Sequence, residues 1–215
     1  MNAIIDNVDI FWEGFRNTIL LVVLSGVMSL IAGVVLASFA ISPIPLLQRI
    51  SAVYIAVMRN IPAAAHLFFT IFILPLLGVR LSFFALATIG ITLYFSAYYC
   101  DAVRTGVNAI GQGQLEASRA IGLRKAQILR LIVLPQGLRN SIPPLINTTI
   151  ALVKVTSIAG VFGVTELFGA MLQLINTNDS AVIALMLFTA LLYAAITVPA
   201  GLVAAAIERK VAFAS

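Results

Sequence analysis

Two cations inside apolar segments are the first residues that could do chemistry. Arg59 and Lys154 each lie within a long apolar run. An ionised side chain at the centre of a bilayer costs about 2.5–3.5 kcal/mol on insertion scales, so each should face protein or a water-filled path. There, either cation could hold the carboxylate of a substrate. The alternatives are structural, because Lys154 could pair near a helix end and Arg59 could bond carbonyls freed by a helix break.

Polar residues beside these cations extend the candidate path. Pro62 predicts a helix discontinuity next to Arg59, and lipid tolerates irregular backbone only where it lines protein or a cavity. Thr156 and Ser157 follow Lys154, and they either offer hydroxyl groups to a substrate or bond their own helix backbone. The predicted substrate path comprises Arg59, Pro62, His66, Lys154, Thr156 and Ser157.

The remaining polar residues indicate neither a catalytic centre nor a cofactor site. His66 is the single histidine and cannot complete a metal site alone, so it is either a satisfied interior residue or part of the path. An intramembrane enzyme would need paired catalytic groups, and no Asp or Glu lies deep in an apolar segment. A phosphate-binding loop is excluded, because Gln112 follows Gly106 and Gly111 where Lys is required. We predict no catalytic residue, no metal site and no cofactor in this chain.

The overall composition is typical of a membrane protein. The chain has 215 residues, of which 61% are hydrophobic and 10% are charged, and its mean hydropathy is +1.09. A water-soluble domain carries roughly 25% charged residues and about half apolar ones. This composition excludes a cytosolic enzyme and a disordered chain. The single cysteine, Cys100, excludes an internal disulfide.

Apolar segments long enough to cross a bilayer recur along the chain. Helices are the only open-ended structures that satisfy every backbone polar group in hydrocarbon. We therefore predict an all-α membrane protein with about five transmembrane helices, a transmembrane domain over 18–207, a preceding segment 1–17 and a tail 208–215. The predicted apolar segments are approximately 18–40, 50–77, 81–99, 143–162 and 181–207.

Charge placement predicts the orientation of these helices. Nine of the 13 Lys and Arg residues fall on one side of the bundle, in the first loop, the long third loop and the tail. Basic residues collect on the cytoplasmic side, so we expect the N-terminus outside and the C-terminus in the cytoplasm. This placement accounts for the net charge of +5 without nucleic acid as a partner. We also expect Glu166 to face the outer aqueous phase, and Tyr94, Tyr98 and Tyr99 to form an interfacial aromatic belt.

The longest connection, 101–140, contains a predicted docking element. A turn at Gly111–Gly113 precedes a helical stretch, Gly122 interrupts that stretch, and a second amphipathic piece continues to Pro135. The small residues Ala117 and Ser118 would let another surface approach the helix backbone closely. The pattern predicts two short helices in a cytoplasmic loop that bind a partner.

A spaced motif in this loop resembles the EAA signature of ABC importer permeases. It reads Glu116-Ala117-Ser118, three residues, Gly122, nine residues, and then Ile132-Val133-Leu134-Pro135. The departure from the signature is Ser118, which replaces a second Ala.

Further segments narrow the resemblance to the polar amino acid permease family. These segments are Arg59–Pro62, Gly113–Ala117, Leu134–Gln136 and Lys154–Ser157. Asn60 replaces the usual Gly of the family, and His66 stands where Gln is common. The resemblance covers nearly the whole chain and implies the type I ABC importer permease fold.

The resemblance also implies partners and roles. The loop would form a coupling helix held in a groove of a separate ATPase subunit. Two ATPases would bind ATP and Mg, beside a second permease chain (identical or homologous), an extracytoplasmic amino acid-binding protein and membrane lipid. The implied ATPase-coupling residues are Gly113, Glu116, Ala117, Ser118, Gly122, Leu134 and Pro135.

The implied function is the permease subunit of an ATP-driven importer for a polar amino acid, located as a multi-pass protein in the bacterial cytoplasmic membrane. Two intramembrane cations favour glutamate or aspartate as substrate, and a basic amino acid is the alternative. A stand-alone channel or secondary transporter is a more distant alternative, because it would leave the loop motif unexplained.

Overall fold

The computed structural model describes residues 2–212, and this part of the chain contains helices and no strand. The all-α prediction is therefore confirmed. The α-helices are α1 (Asn2–Ile5), α2 (Val8–Ala40), α3 (Pro45–Asn60), α4 (Ala63–Phe68), α5 (Leu74–Leu76), α6 (Phe83–Asn108), α7 (Gln112–Ala120), α8 (Lys125–Ile128), α9 (Leu134–Val161), α10 (Leu167–Ile175) and α11 (Val182–Ala212). Two π-helical turns, Phe69–Ile73 and Leu129–Val133, continue α4 and α8, and a 3-10 turn, Asp179–Ala181, precedes α11.

Four of the described helices are long and apolar enough to cross a membrane: Val8–Ala40, Phe83–Asn108, Lys125–Val161 and Val182–Arg209. A fifth crossing consists of Pro45–Asn60 followed by Ala63–Leu76, with a bend of 101° between them. Pro62 lies in that bend and accounts for it, because proline has no N–H to donate and disfavours helical backbone in the residue before it. The prediction of about five spanning helices, one of them broken, is confirmed.

Two helices, α2 and α9, begin about nine or ten residues before the apolar segments that predict them. α2 starts at Val8 instead of near residue 18, so most of segment 1–17 is helical. Its first turns pack on α11, where the rings of Phe11 and Phe188 are 4.9 Å apart. α9 starts at Leu134 and continues through Pro143 and Pro144. The two prolines alone would predict that the helix starts near residue 143. Packing against α6 keeps α9 helical through both of them.

The tail and the long connection also differ from their predicted extents. α11 continues to Ala212, so the first part of tail 208–215 is helical, and 213–215 lie outside the described residues. α6 extends to Asn108 and α9 begins at Leu134. The residues between those two helices, 109–133, are called the docking loop below.

α2 and α6 run side by side in the same direction, and α9 runs antiparallel to them. Gly33 of α2 lies against α6, where a Cβ on Gly33 would be 2.7 Å from the Cβ of Tyr99. Gly106 of α6 lies against α9, where an added Cβ would be 2.6 Å from the carbonyl oxygen of Gly137. Residues 41–44 and the docking loop therefore share one end of the bundle, the loop end, while 162–166 lie at the opposite end.

Two expectations about polar residues are wrong. Glu166 is fully buried at the opposite end of the bundle and does not face water. Tyr99 of α6 is buried against α2 and α9, and its hydroxyl lies 2.7 Å from the Thr149 hydroxyl. Tyr94 and Tyr98 are half-buried and hydrogen-bonded to each other at 3.0 Å, so the three tyrosines form no interfacial belt.

The contact between α6 and α9 generates a stability prediction. Gly106→Ala should lower the free energy of unfolding by about 1–3 kcal/mol, because the new methyl group would overlap the backbone of α9. The measurement is thermal unfolding of the purified protein in detergent. Gly111→Ala is the matched control, since Gly111 has φ −62° and nothing within 4 Å of an added Cβ. Equal melting temperatures for the two variants would contradict the predicted close packing.

Candidate functional site

The first helix of the docking loop, α7, presents small and polar residues to solvent. Gly113, Glu116 and Ala117 are exposed, whereas Ser118 faces inward and is buried. The Ser118 hydroxyl donates to the carbonyl of Gln114, so the one buried polar side chain of α7 is satisfied within its own helix. An exposed helix face with little side-chain bulk lets another protein approach the backbone closely.

A glycine turn ends α7 and confirms the predicted interruption at Gly122. The N–H of Leu123 donates to the Ser118 carbonyl at 3.1 Å, and the N–H of Gly122 donates to the Arg119 carbonyl at 3.0 Å. This pair of bonds is a Schellman motif, which needs left-handed backbone at the residue after the cap. Gly122 has φ +83°, a conformation that L side chains rarely adopt. The turn leaves Ile121 76% exposed at its apex.

The second helix of the docking loop is continuous with a membrane-spanning helix. α8 begins after Arg124, whose N–H donates to the side-chain oxygen of Gln127 at 2.8 Å. The π-helical turn Leu129–Val133 then leads directly into α9, where Leu134 and Pro135 are exposed. The helix is therefore unbroken from Lys125 to the end of α9, and the Gly122 turn joins it to α7.

Arg59 has a partner that the sequence analysis missed. Its guanidinium forms an ion pair with Asp101 of α6 and lies 5.3 Å from the centre of the Tyr98 ring. Arg104 contacts the same carboxylate at 3.7 Å. A helical-face signal could have revealed Asp101, because Tyr94, Tyr98 and Asp101 follow the i, i+4, i+7 spacing of one face of α6.

His66 continues this row of polar groups. Its ring is 6.0 Å from the ring of Tyr94, and the Tyr94 hydroxyl bonds that of Tyr98. His66 is 8% exposed, and its Nε2 atom has no hydrogen-bond partner among the described residues. Pro62 precedes α4 and directs the chain from Arg59 toward His66. We call the row formed by Arg59, Asp101, Tyr98, Tyr94 and His66 the polar strip.

Lys154 and Ser157 lie on another surface. They line a cavity of about 330 Å³ between α9, α10 and α11, together with Thr189 and Tyr193. Lys154 is exposed, and it takes part in neither of the two ion pairs found in residues 2–212. A cation in a membrane-spanning helix is costly against lipid, so this surface must face water or another chain.

The hydroxyls beside Lys154 bond their own helix. Thr156 is fully buried and donates to the Val153 carbonyl at 2.7 Å, and Ser157 donates to the Lys154 carbonyl at 2.7 Å. The structure therefore brings Arg59, Pro62 and His66 together, places Lys154 and Ser157 elsewhere, and leaves Thr156 in the packed interior. Across the described residues, no three His, Cys, Asp or Glu side chains lie close enough to hold a metal ion.

Comparison with a protein family gives a match over nearly the whole chain. The family described as "Binding-protein-dependent transport system inner membrane component" matches residues 12–213. Its description agrees with the apolar helices found here, and the chain is a multi-pass membrane protein.

Similar proteins include named amino-acid permeases. The probable glutamine ABC transporter permease protein GlnP of Bacillus subtilis is 34% identical over 200 residues, which are 92% of this chain and 91% of that protein. The glutamate transport system permease protein GluC of Corynebacterium efficiens is 35% identical over 210 residues, 92% of each chain. The L-cystine transport system permease protein TcyB of Bacillus subtilis is 32% identical, covering 93% of this chain and 87% of that protein.

Solved structures share the fold. A crystal structure of an amino acid ABC transporter with histidines has a TM-score of 0.90 at 24% identity, covering 96% of both chains. An inward-facing MetNI methionine ABC transporter has a TM-score of 0.68 at 23% identity, covering 95% of both chains. Together with the family match and the relatives, these findings confirm the resemblance seen in the sequence: the chain belongs to the type I ABC importer permeases of the polar amino acid family.

Proposed function

We propose that this chain is the membrane subunit of an importer that a separate ATPase drives, with the loop end of the bundle in the cytoplasm. The observation that carries the proposal is the exposed helix α7, joined through α8 to a spanning helix. The continuous helix Lys125–Val161, which comprises α8, the π-helical turn and α9, has 37 residues and is about 55 Å long at 1.5 Å per residue. A partner bound to α7 could therefore act on the membrane-spanning core without entering the membrane.

The contact with the ATPase is proposed on the face of α7 and its glycine turn. Glu116 offers a charge, Ala117 a small side chain and Ile121 a large exposed apolar surface at the apex. The conformation of this element depends on Gly113, Ser118 and Gly122. Its connection to α9 contains Leu134 and Pro135. An exposed apolar group surrounded by polar ones is a common centre of a protein–protein contact.

The proposed mechanism is alternating access. ATP and Mg bind to the partner ATPase pair, and closure of that pair moves the docking loop. The nucleotide biases a two-state bundle through contacts that differ between the states. The bundle is completed by a second permease chain, identical or homologous, and an amino acid-binding protein delivers the substrate from outside the bacterial cytoplasmic membrane.

The proposed substrate path uses the polar strip and the cavity beside Lys154. The relatives named for glutamine, glutamate and cystine support a polar amino acid as substrate. Lys154 offers a positive charge to a carboxylate, and glutamate and aspartate carry two carboxylates where most amino acids carry one, so we keep them as the preferred substrates. Asp101 supports the alternative of a basic amino acid, because its carboxylate could receive a cationic side chain if Arg59 moved away.

The docking proposal makes a testable prediction about α7. Glu116→Lys reverses the charge on its exposed face, and Gly122→Asp forces a side chain into left-handed backbone at a cost of about 1–2 kcal/mol. Both variants should reach the membrane but lose at least half of the co-purified ATPase and of ATP-driven uptake. Glu13→Lys, a charge reversal on an exposed residue at the opposite end, is the control and should retain the ATPase. Full ATPase recovery and full uptake with both loop variants would refute docking through α7.

The substrate preference is tested by uptake and competition. In vesicles with the assembled transporter, unlabelled glutamate or aspartate should compete best against a labelled amino acid. Lys154→Gln should raise KM about tenfold, which corresponds to the loss of about 1.4 kcal/mol of binding. Lys154→Arg keeps the charge and should retain most of the uptake. Stronger competition by lysine or arginine would reverse the preference for an acidic substrate.

A further inference from the structure

A buried carboxylate lies at the end of the bundle opposite the docking loop. Glu166 follows the turn that ends α9 and precedes α10, yet it is 0% exposed. The turn is closed by a Schellman motif in which Val164 N–H donates to the Ala159 carbonyl at 3.1 Å and Gly163 has φ +90°. This turn reverses the chain and brings the Glu166 side chain inside the protein.

The Glu166 carboxylate joins three helices. Its Oε1 accepts from the N–H of Gly169 at 2.8 Å and so caps the first turn of α10. Its Oε2 accepts from the hydroxyl of Tyr193 on α11. The Thr18 hydroxyl of α2 lies 3.4 Å from Oε2 and accepts from the N–H of Leu167 at 3.0 Å. We call Thr18, Glu166, Gly169 and Tyr193 the Glu166 junction.

Glycines make the Glu166 junction compact. A Cβ on Gly160 of α9 would collide with Glu166 Oε1 and lie 2.6 Å from the nitrogen of Gly169. A Cβ on Gly14 of α2 would lie 2.9 Å from the Cβ of Ala170. The backbones of α2, α9 and α10 are therefore in direct contact around the carboxylate, which leaves little freedom for them to slide.

The position of the Glu166 junction gives it a mechanical consequence. α9 receives displacement from the docking loop at one end, and the Glu166 junction holds its other end. A helix held at one end turns about that point, whereas an unheld helix shifts as a whole. The ring of Tyr193 also lines the cavity that contains Lys154 and Ser157, so the Glu166 junction borders the proposed substrate path.

We propose that Glu166 is a positioning residue for transport, which fixes the end of α9 and α10 to α2 and α11 so that movement of the docking loop changes access to the path. This inference rests on the proposed function. In this proposal Glu166 contacts neither the ATPase nor the substrate path. Its task is to couple ATP hydrolysis to uptake.

The test measures uptake per ATP hydrolysed in vesicles that contain the complete transporter. Glu166→Gln keeps the side-chain volume but leaves one acceptor oxygen where the carboxylate has two. We expect normal assembly and continued ATP hydrolysis, with uptake per ATP lowered at least about fivefold, the lower end of typical coupling between sites. Tyr193→Phe removes the hydrogen bond from α11 and should lower the same ratio.

A matched control is available on the same helix pair. Glu208, near the C-terminal end of α11, accepts from Asn147, halfway along α9, at 3.3 Å. Glu208→Gln should leave uptake per ATP unchanged.

Two outcomes would overturn the proposal. One is an unchanged ratio of uptake to hydrolysis in properly assembled Glu166→Gln and Tyr193→Phe transporters. The other is a parallel loss of assembly, hydrolysis and uptake in both variants, which would indicate a merely structural role. Both outcomes leave the proposed function intact, because that function is tested separately, by the α7 variants and by whether the unsubstituted chain takes up substrate without an ATPase.

Discussion

Polar groups inside a membrane-spanning bundle must find their partners within the protein, and this constraint organises the structure. Arg59 is compensated by Asp101 and by the face of the Tyr98 ring. Glu166 is surrounded by hydrogen-bond donors from three helices. Lys154 and His66 are exceptions, because Lys154 is exposed on one side of α9 and the buried Nε2 atom of His66 has no hydrogen-bond partner among the described residues. Compensated charges therefore hold the helices in place, whereas the exposed cation marks a surface that must meet water or another chain.

The helix α9 lies between the docking loop and the Glu166 junction, and its two ends differ in structure. Toward the docking loop it continues through a π-helical turn into α8, so the helix is unbroken from Lys125 onward. At its other end, Gly163 stops the helix and Glu166 ties the following turn to α2 and α11. Contacts with α6 along its length keep it helical through two prolines. Continuity at one end and attachment at the other are the features on which the proposed change of tilt rests.

The sequence was sufficient to predict features that depend on local pattern. Long apolar runs predicted the spanning helices, Pro62 predicted the break in the second of them, and Gly122 predicted the end of α7. Each of these depends on hydrophobic length or on the backbone preference of one residue type. The loop motif was identified by spacing alone. Its exposure at one end of the bundle agrees with a docking role, which remains a proposal.

Features that depend on distant residues could not be predicted in this way. Asp101 is 42 residues from Arg59, and Glu166 is 148 residues from Thr18, so no local pattern pairs either residue with its partner. Asp101 also changes the electrostatic argument for the substrate. Two uncompensated cations would favour an acidic amino acid, but the charge of Arg59 is already balanced within the chain. The positive charge available to a substrate carboxylate then comes mainly from Lys154, so charge selection is expected near α9 and α11. The polar strip would contribute hydrogen-bonding groups to the proposed path.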